Sequence, residues 1–173
     1  MVYRLKGKVS LPNVLLLFLH LCAKISQFAR NRITVRKIMA ALSSLSNFKN
    51  TGILLVRIGL GVMFIMHGYP KLLGGPAMWE GVGGAMGEIG ITFLPSIWGL
   101  LAALAETLGG LFFLIGLFFR PVALIMAFTM LVASLHHLGA GEGLKGASHA
   151  IEMGIVFLGF AFIGPGKYSV DKR

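Results

Sequence analysis

Polar side chains almost disappear from four stretches of the chain, at about residues 53–73, 97–119, 121–138 and 148–164, and return between them. Each stretch is close to the roughly 17–25 residues that carry a helix across a hydrocarbon core of about 30 Å at about 1.5 Å per residue. The pattern predicts an all-α fold, an integral membrane antiparallel four-helix bundle. A Gly-rich loop at 74–96, a two-residue turn at Arg120-Pro121 and a second Gly-rich loop at 139–147 separate the spans. A turn that short makes spans two and three an antiparallel hairpin.

The polar positions that interrupt the spans recur at helical spacing. Arg57, Gly61, Phe64, Gly68 and Lys71 lie three or four apart in span one, a stripe with small residues in its middle and a cation at each end. Pro70 removes an amide hydrogen there and predicts a bend near the end of the helix. In span two Gly99, Ala103, Glu106 and Gly110 share a small-residue face of the kind that lets helices approach closely. An ionised carboxylate within a span costs several kcal/mol unless it has a partner or a function, so Glu106 is expected to face inward.

Composition agrees with lipid as the solvent. Hydrophobic residues are 56% of the 173, charged residues 13%, and the mean hydropathy is +0.83, too little polar surface to cover a water-soluble domain. The single cysteine, Cys22, excludes an internal disulfide and a CxxC redox pair. The net charge of +10 belongs to the first fifty residues, which hold nine Lys/Arg and no acid, against seven basic and six acidic residues afterwards. No basic stretch interleaved with aromatics appears, so nucleic acid is not an expected partner; the lipid bilayer is. With four spans both termini share a side, and the excess of Lys/Arg there places them in the cytoplasm, with the protein multi-pass in a bacterial inner membrane.

The chain divides into a basic extension, 1–50, and a four-span domain, 51–173. The apolar run at 14–23 is too short to span. Val35, Ile38, Leu42 and Leu45 recur at the spacing of an interfacial helix, and the alternative is that translation begins at Met39.

By depth, His67, Lys71, His136, His137, His149 and Glu152 all fall in the outer half, with Glu106 beneath them, and four spans contribute. The expectation is one polar pocket. Each residue also has a structural reading. His67 answers to a carbonyl freed by Pro70, Lys71 and His137 to the interface by snorkelling, and Glu106 to an ion pair with Arg57 or His67. His149 and Glu152 reverse the Glu-x-x-His pattern of bundle metal sites and stand unpaired, so no metal is assigned.

The blocks LLVRIGLGVMFIMHGYPKLLGG (54–75), AALAETLGGLFFLIGLFFRPVAL (102–124) and GPGKYSVD (164–171) resemble the signature blocks of the DoxX family of small four-helix inner-membrane proteins. Residues 1–50 have no counterpart in that resemblance. It implies a quinol-linked oxidoreductase or a subunit of a membrane redox or oxidative-stress complex, with a quinone (ubiquinone or menaquinone) as cofactor and redox proteins or further copies of the chain as partners. A quinone headgroup needs a donor or acceptor at each carbonyl and a route for two protons. Glu106, His67 and His149 are the expected catalytic residues. Arg57, His67, Lys71, Glu106, His136 and Glu152 are the expected cofactor contacts. No haem-attachment motif is present, so no covalent haem is expected. Two other readings stay open: a non-enzymatic anchor or scaffold that docks a partner, and a small-solute or proton pathway through an oligomer.

Overall fold

The computed structural model describes residues 16, 19–21, 38–40 and 42–171. It divides into two units, Met1–Phe48 and Lys49–Arg173. In the first, Ser44–Phe48 forms a short 3-10 helix. Its preceding turn is held by the hydroxyls of Ser43 and Ser46, which donate to the carbonyls of Ala40 and Ser43 at 2.8 and 2.6 Å. The expectation of an interfacial helix or a start at Met39 lies for the most part outside the described residues.

The second unit is built from α1 (Lys49–Leu73), α2 (Gly75–Gly83), α3 (Pro95–Ile115), α4 (Phe119–Gly139) and α5 (Gly143–Ile163), with a 3-10 segment, Gly84–Ile89, after α2. Four helices, α1, α3, α4 and α5, are long and apolar enough to cross a membrane, as the hydropathy pattern predicts. Their outer faces are apolar: Leu55, Met66, Ile155 and Phe162 are all more than 60% exposed. Lipid is the solvent such faces require. α1 packs along α3, α4 packs along α5, and α3 meets α4 less closely.

The predicted stripes are the α1–α3 seam. Arg57, Gly61, Phe64 and Gly68 are buried on one side and Gly99, Ala103, Glu106 and Gly110 on the other. At Gly61 an added Cβ would come within 2.8 Å of the Gly110 carbonyl oxygen, so the backbones touch where side chains would hold them apart. Pro70 lies inside α1, which continues to Leu73.

Two connections differ from the sequence reading. The glycine-rich segment 74–96 is largely helical, and Pro76 sits in the first turn of α2, where its missing amide hydrogen is no loss. α2 lies on α3 so tightly that a Cβ at Gly99 would overlap the Trp79 carbonyl and one at Gly83 the Pro95 carbonyl. Reversal between α3 and α4 occurs at 116–118, with Gly116 and Phe118 at φ 74° and 46°. Arg120 and Pro121 already belong to the first turn of α4, a position that suits proline.

The core between the four spans is aromatic. Phe113, Phe119, Phe157 and Phe160 meet edge-to-face or stacked with centroids 4.7–5.9 Å apart, and Phe64 joins Phe157 at 4.8 Å. This core separates two polar regions at opposite ends of the bundle.

Candidate functional site

At the end that carries α2, the last turn of α1 places Lys71 on the buried stripe, opposite Glu106 of α3. The Lys71 ammonium donates to both carboxylate oxygens, at 2.7 and 2.6 Å, a two-point ion pair. Glu106's side chain is 7% exposed and that of Lys71 34%. Lys71 therefore supplies the partner that Glu106 requires in an apolar span, in place of the expected Arg57 or His67, and it does not merely snorkel to the interface. Gly68 makes the pairing geometrically feasible. With no side chain there, α1 approaches the Glu106 and Thr107 backbone closely enough for a lysine one turn on to reach the carboxylate. The Trp79 indole nitrogen of α2 donates to the Lys71 carbonyl at 3.0 Å and fixes α2 to the end of α1.

This ion pair is part of the wall of an open cavity of about 770 Å³ bordered by α2, α3, α4 and the 3-10 segment. The wall is mainly apolar, with Lys71, Glu106, His136, His137, Trp98 and Thr129 as its polar members. The indole nitrogen of Trp98 is buried and without a hydrogen-bond partner among the described residues. At the mouth His136 Nδ1 lies 3.8 Å from a Glu88 carboxylate oxygen, and His137 Nδ1 lies 2.8 Å from Glu142 Oε2. These contacts link the loop segments to the end of α4.

The single pocket expected from depth resolves into three places. Lys71, Glu106, His136 and His137 share the cavity. His67 and His149 face each other across α1 and α5 with ring centroids 6.4 Å apart, and both are exposed. His67 is four residues from Lys71 but one residue off the buried stripe, so it points past the seam toward Phe64, at 6.5 Å, and α5. Glu152 is likewise exposed on α5. None of these three lines the cavity. Depth places residues at one level but not on one side.

Arg57 lies at the opposite end of the bundle and is fully buried. Its guanidinium donates to four backbone carbonyls, those of Phe113 at 3.1 Å, Leu114 at 2.8 Å, Pro165 at 2.8 Å and Tyr168 at 2.7 Å, and sits 5.6 Å from the Phe119 ring centroid. The expected cofactor contact at Arg57 is thus corrected to a clasp that holds the C-terminal segment. The same segment returns to cap α4. Both carboxylate oxygens of Asp171 accept from the amides of Phe118 and Phe119, at 3.0 and 2.8 Å.

Trp98, Met86 and Glu88 escaped the sequence reading. A signal for Trp98 is present: Trp98, Leu101, Ala102 and Ala105 fall on one face of α3, and the two alanines below a bulky indole leave room. Met86 and Glu88 belong to a segment that was expected to be loop.

Comparison with known proteins gives a consistent picture. The model of the DoxX family matches residues 52–138. An inner membrane protein of Escherichia coli, YqjF, is 33% identical over 131 residues, 74% of this chain and 95% of its own. A Haemophilus influenzae protein described only as uncharacterized is 29% identical over 138 residues, 76% of this chain and 97% of its own. The E. coli inner membrane protein YphA is 26% identical over 129 residues, 70% and 89% of the two chains. No solved structure matches.

Proposed function

The chain belongs to the DoxX family of membrane proteins, and from that premise we propose that it binds a quinol in the cavity beside Lys71 and Glu106, as a quinol-linked oxidoreductase or as the quinol-binding subunit of a membrane redox complex. The observation that carries this reading is a two-point ion pair set in the wall of a mainly apolar 770 Å³ cavity.

The residues suit a quinone headgroup. Lys71 offers a donor, while Glu106 and a neutral imidazole nitrogen of His136 or His137 offer acceptors, the two roles that carbonyl and hydroxyl forms of the head require. Such a head, when bound, supplies a two-electron, two-proton couple. Within the chain, Lys71 orients Glu106 and offsets the cost of an ionised carboxylate in apolar surroundings. α2 walls the ion pair off from the end of the bundle. His136 and Glu88, at the mouth, give a proton a path from the cavity to the surface. With one cysteine and no haem-attachment motif in the sequence, the electron acceptor assigned here is a redox centre on a partner protein. Orientation follows from the charge distribution: termini in the cytoplasm and the cavity toward the periplasm of a bacterial inner membrane.

Gentle detergent extraction followed by mass spectrometry tests the reading. Wild-type protein is expected to retain ubiquinone or menaquinone and Glu106→Gln to lose it with the fold intact; equal retention, or none in either, overturns it. A second reading, an anchor whose polar groups only fix helix packing, is favoured by the short, two-point geometry of the pair itself. On that reading Glu106→Gln lowers thermal stability and leaves the bound molecules unchanged.

A further inference from the structure

The cavity wall carries Lys71, Glu106 and the histidines, and on α3 and α4 it also runs through Leu101, Ile125 and Phe128. These last three line the cavity and are also 49%, 54% and 50% exposed at the surface. A side chain that does both stands at an opening. Ile125 lies fourteen residues before Gly139, the end of α4, hence roughly 20 Å down the helix, so the medium at that opening is hydrocarbon and not water.

Resting on the quinol reading above, we infer that the ligand enters sideways from the bilayer between α3 and α4, and that this gap holds the isoprenoid tail of a long-chain quinone whose head lies beside Lys71 and Glu106. Three observations support this. α3 and α4 pack less closely than α1 with α3 or α4 with α5, which leaves the gap. Thr129, in the wall of the gap, returns its hydroxyl to the Ile125 carbonyl of its own helix at 3.0 Å, so the gap offers a tail an apolar lining. Among the polar groups, Lys71 is already neutralised by both oxygens of Glu106, and Glu88 stands by His136. An anionic phospholipid head would meet carboxylates there, whereas a neutral quinone head meets donors and acceptors without repulsion.

The test uses the full chain in lipid nanodiscs with two probes: a ubiquinone analogue carrying a photoactivatable diazirine on its isoprenoid tail, and a tailless benzoquinone with the same head. The expected result is tail cross-linking to Leu101, Ile125 or Phe128. Phe128→Trp and Ile125→Trp should weaken binding of the tailed probe about tenfold and leave the tailless one unchanged. Thermal unfolding of each variant reports whether it has folded, and the cross-linking site in the unaltered protein stands independently of them. Head binding with the tail cross-linked elsewhere, or with both tryptophan variants neutral, overturns the lateral route and leaves the quinol reading intact. Failure of both probes to bind overturns both. Phospholipid held in the gap and not displaced by the tailed probe also overturns the inference.

Discussion

Glu106 and Lys71 form one charge pair with unequal burial, 7% against 34% side-chain exposure, and the inequality sets what each substitution does. Lys71→Met strands an ionised carboxylate among apolar groups. Glu106→Gln leaves an ammonium group that can still reach polar surroundings. Removing one partner of a buried pair costs about 3–5 kcal/mol, and the exposure of Lys71 brings the Glu106 variant well below that range. Thermal unfolding in detergent should therefore rank Lys71→Met as the more damaging, with Lys71→Met/Glu106→Leu recovering most of the loss; the opposite order would contradict the assignment. Arg57 makes a complementary case. Its four carbonyl contacts spread over three directions, which a lysine ammonium at the end of a flexible stem does not reproduce. Arg57→Lys is expected to cost on the order of 3 kcal/mol in thermal stability, from lost charge-assisted hydrogen bonds, and to leave quinone retention unchanged, because the clasp and the cavity occupy opposite ends. Lys71 and Glu106 were visible in the sequence as charges on two separate stripes. That they pair with each other was not, because each stripe alone has several partners within reach.

At the scale of elements, the contacts that organise the bundle are made where side chains are smallest. A Cβ at Gly68 would come within 2.7 Å of the Glu106 Cβ and 2.6 Å of the Thr107 amide nitrogen. Gly68→Ala should push α1 from α3 at a cost of about 1–3 kcal/mol, the usual penalty of overpacking, and shift the Lys71–Glu106 pair out of register. Unfolding measured beside quinone retention would show both effects falling together. The C-terminal segment behaves as an element although it has no regular structure. Its carbonyls receive Arg57, the Val170 and Asp171 amides donate to the Ile115 and Gly116 carbonyls, and the Asp171 carboxylate caps α4. Asp171→Ala is expected to lose about 1–2 kcal/mol as a missing N-cap. Combined with Arg57→Lys it should cost less than the two losses added, since both anchor the same segment; strict additivity would argue against a shared clasp.

The unit Lys49–Arg173 is a membrane bundle with polar chemistry at one end and a clasp at the other, separated by an aromatic core. Its orientation in the bilayer is a property of the whole chain and is tested there. In a Cys22→Ser background, Gly87→Cys should react with a membrane-impermeant maleimide added outside intact spheroplasts, and Lys167→Cys only after lysis. Reversed labelling would invert the topology and place the cavity toward the cytoplasm. The separation of the titratable groups into different places also belongs to this scale. His67 and His149 face each other at exposed positions of α1 and α5, apart from the cavity, although the same depth argument covers all of them.

The amino-acid order by itself determined the four apolar spans, the small-residue seam and the inward face of Glu106. Each of these follows from local periodicity and from the cost of exposing polar groups to hydrocarbon, and needs no knowledge of neighbours. The helical character of 74–96, the place of the α3–α4 reversal, the choice of Lys71 as the partner of Glu106 and the fate of Arg57 were decided only by tertiary structure. Rise along a helix gives the level of a residue, while the side of the bundle it faces depends on which helix lies against which. That arrangement is set by packing between segments far apart in the chain, and so the cavity and the clasp emerge only when the helices are assembled.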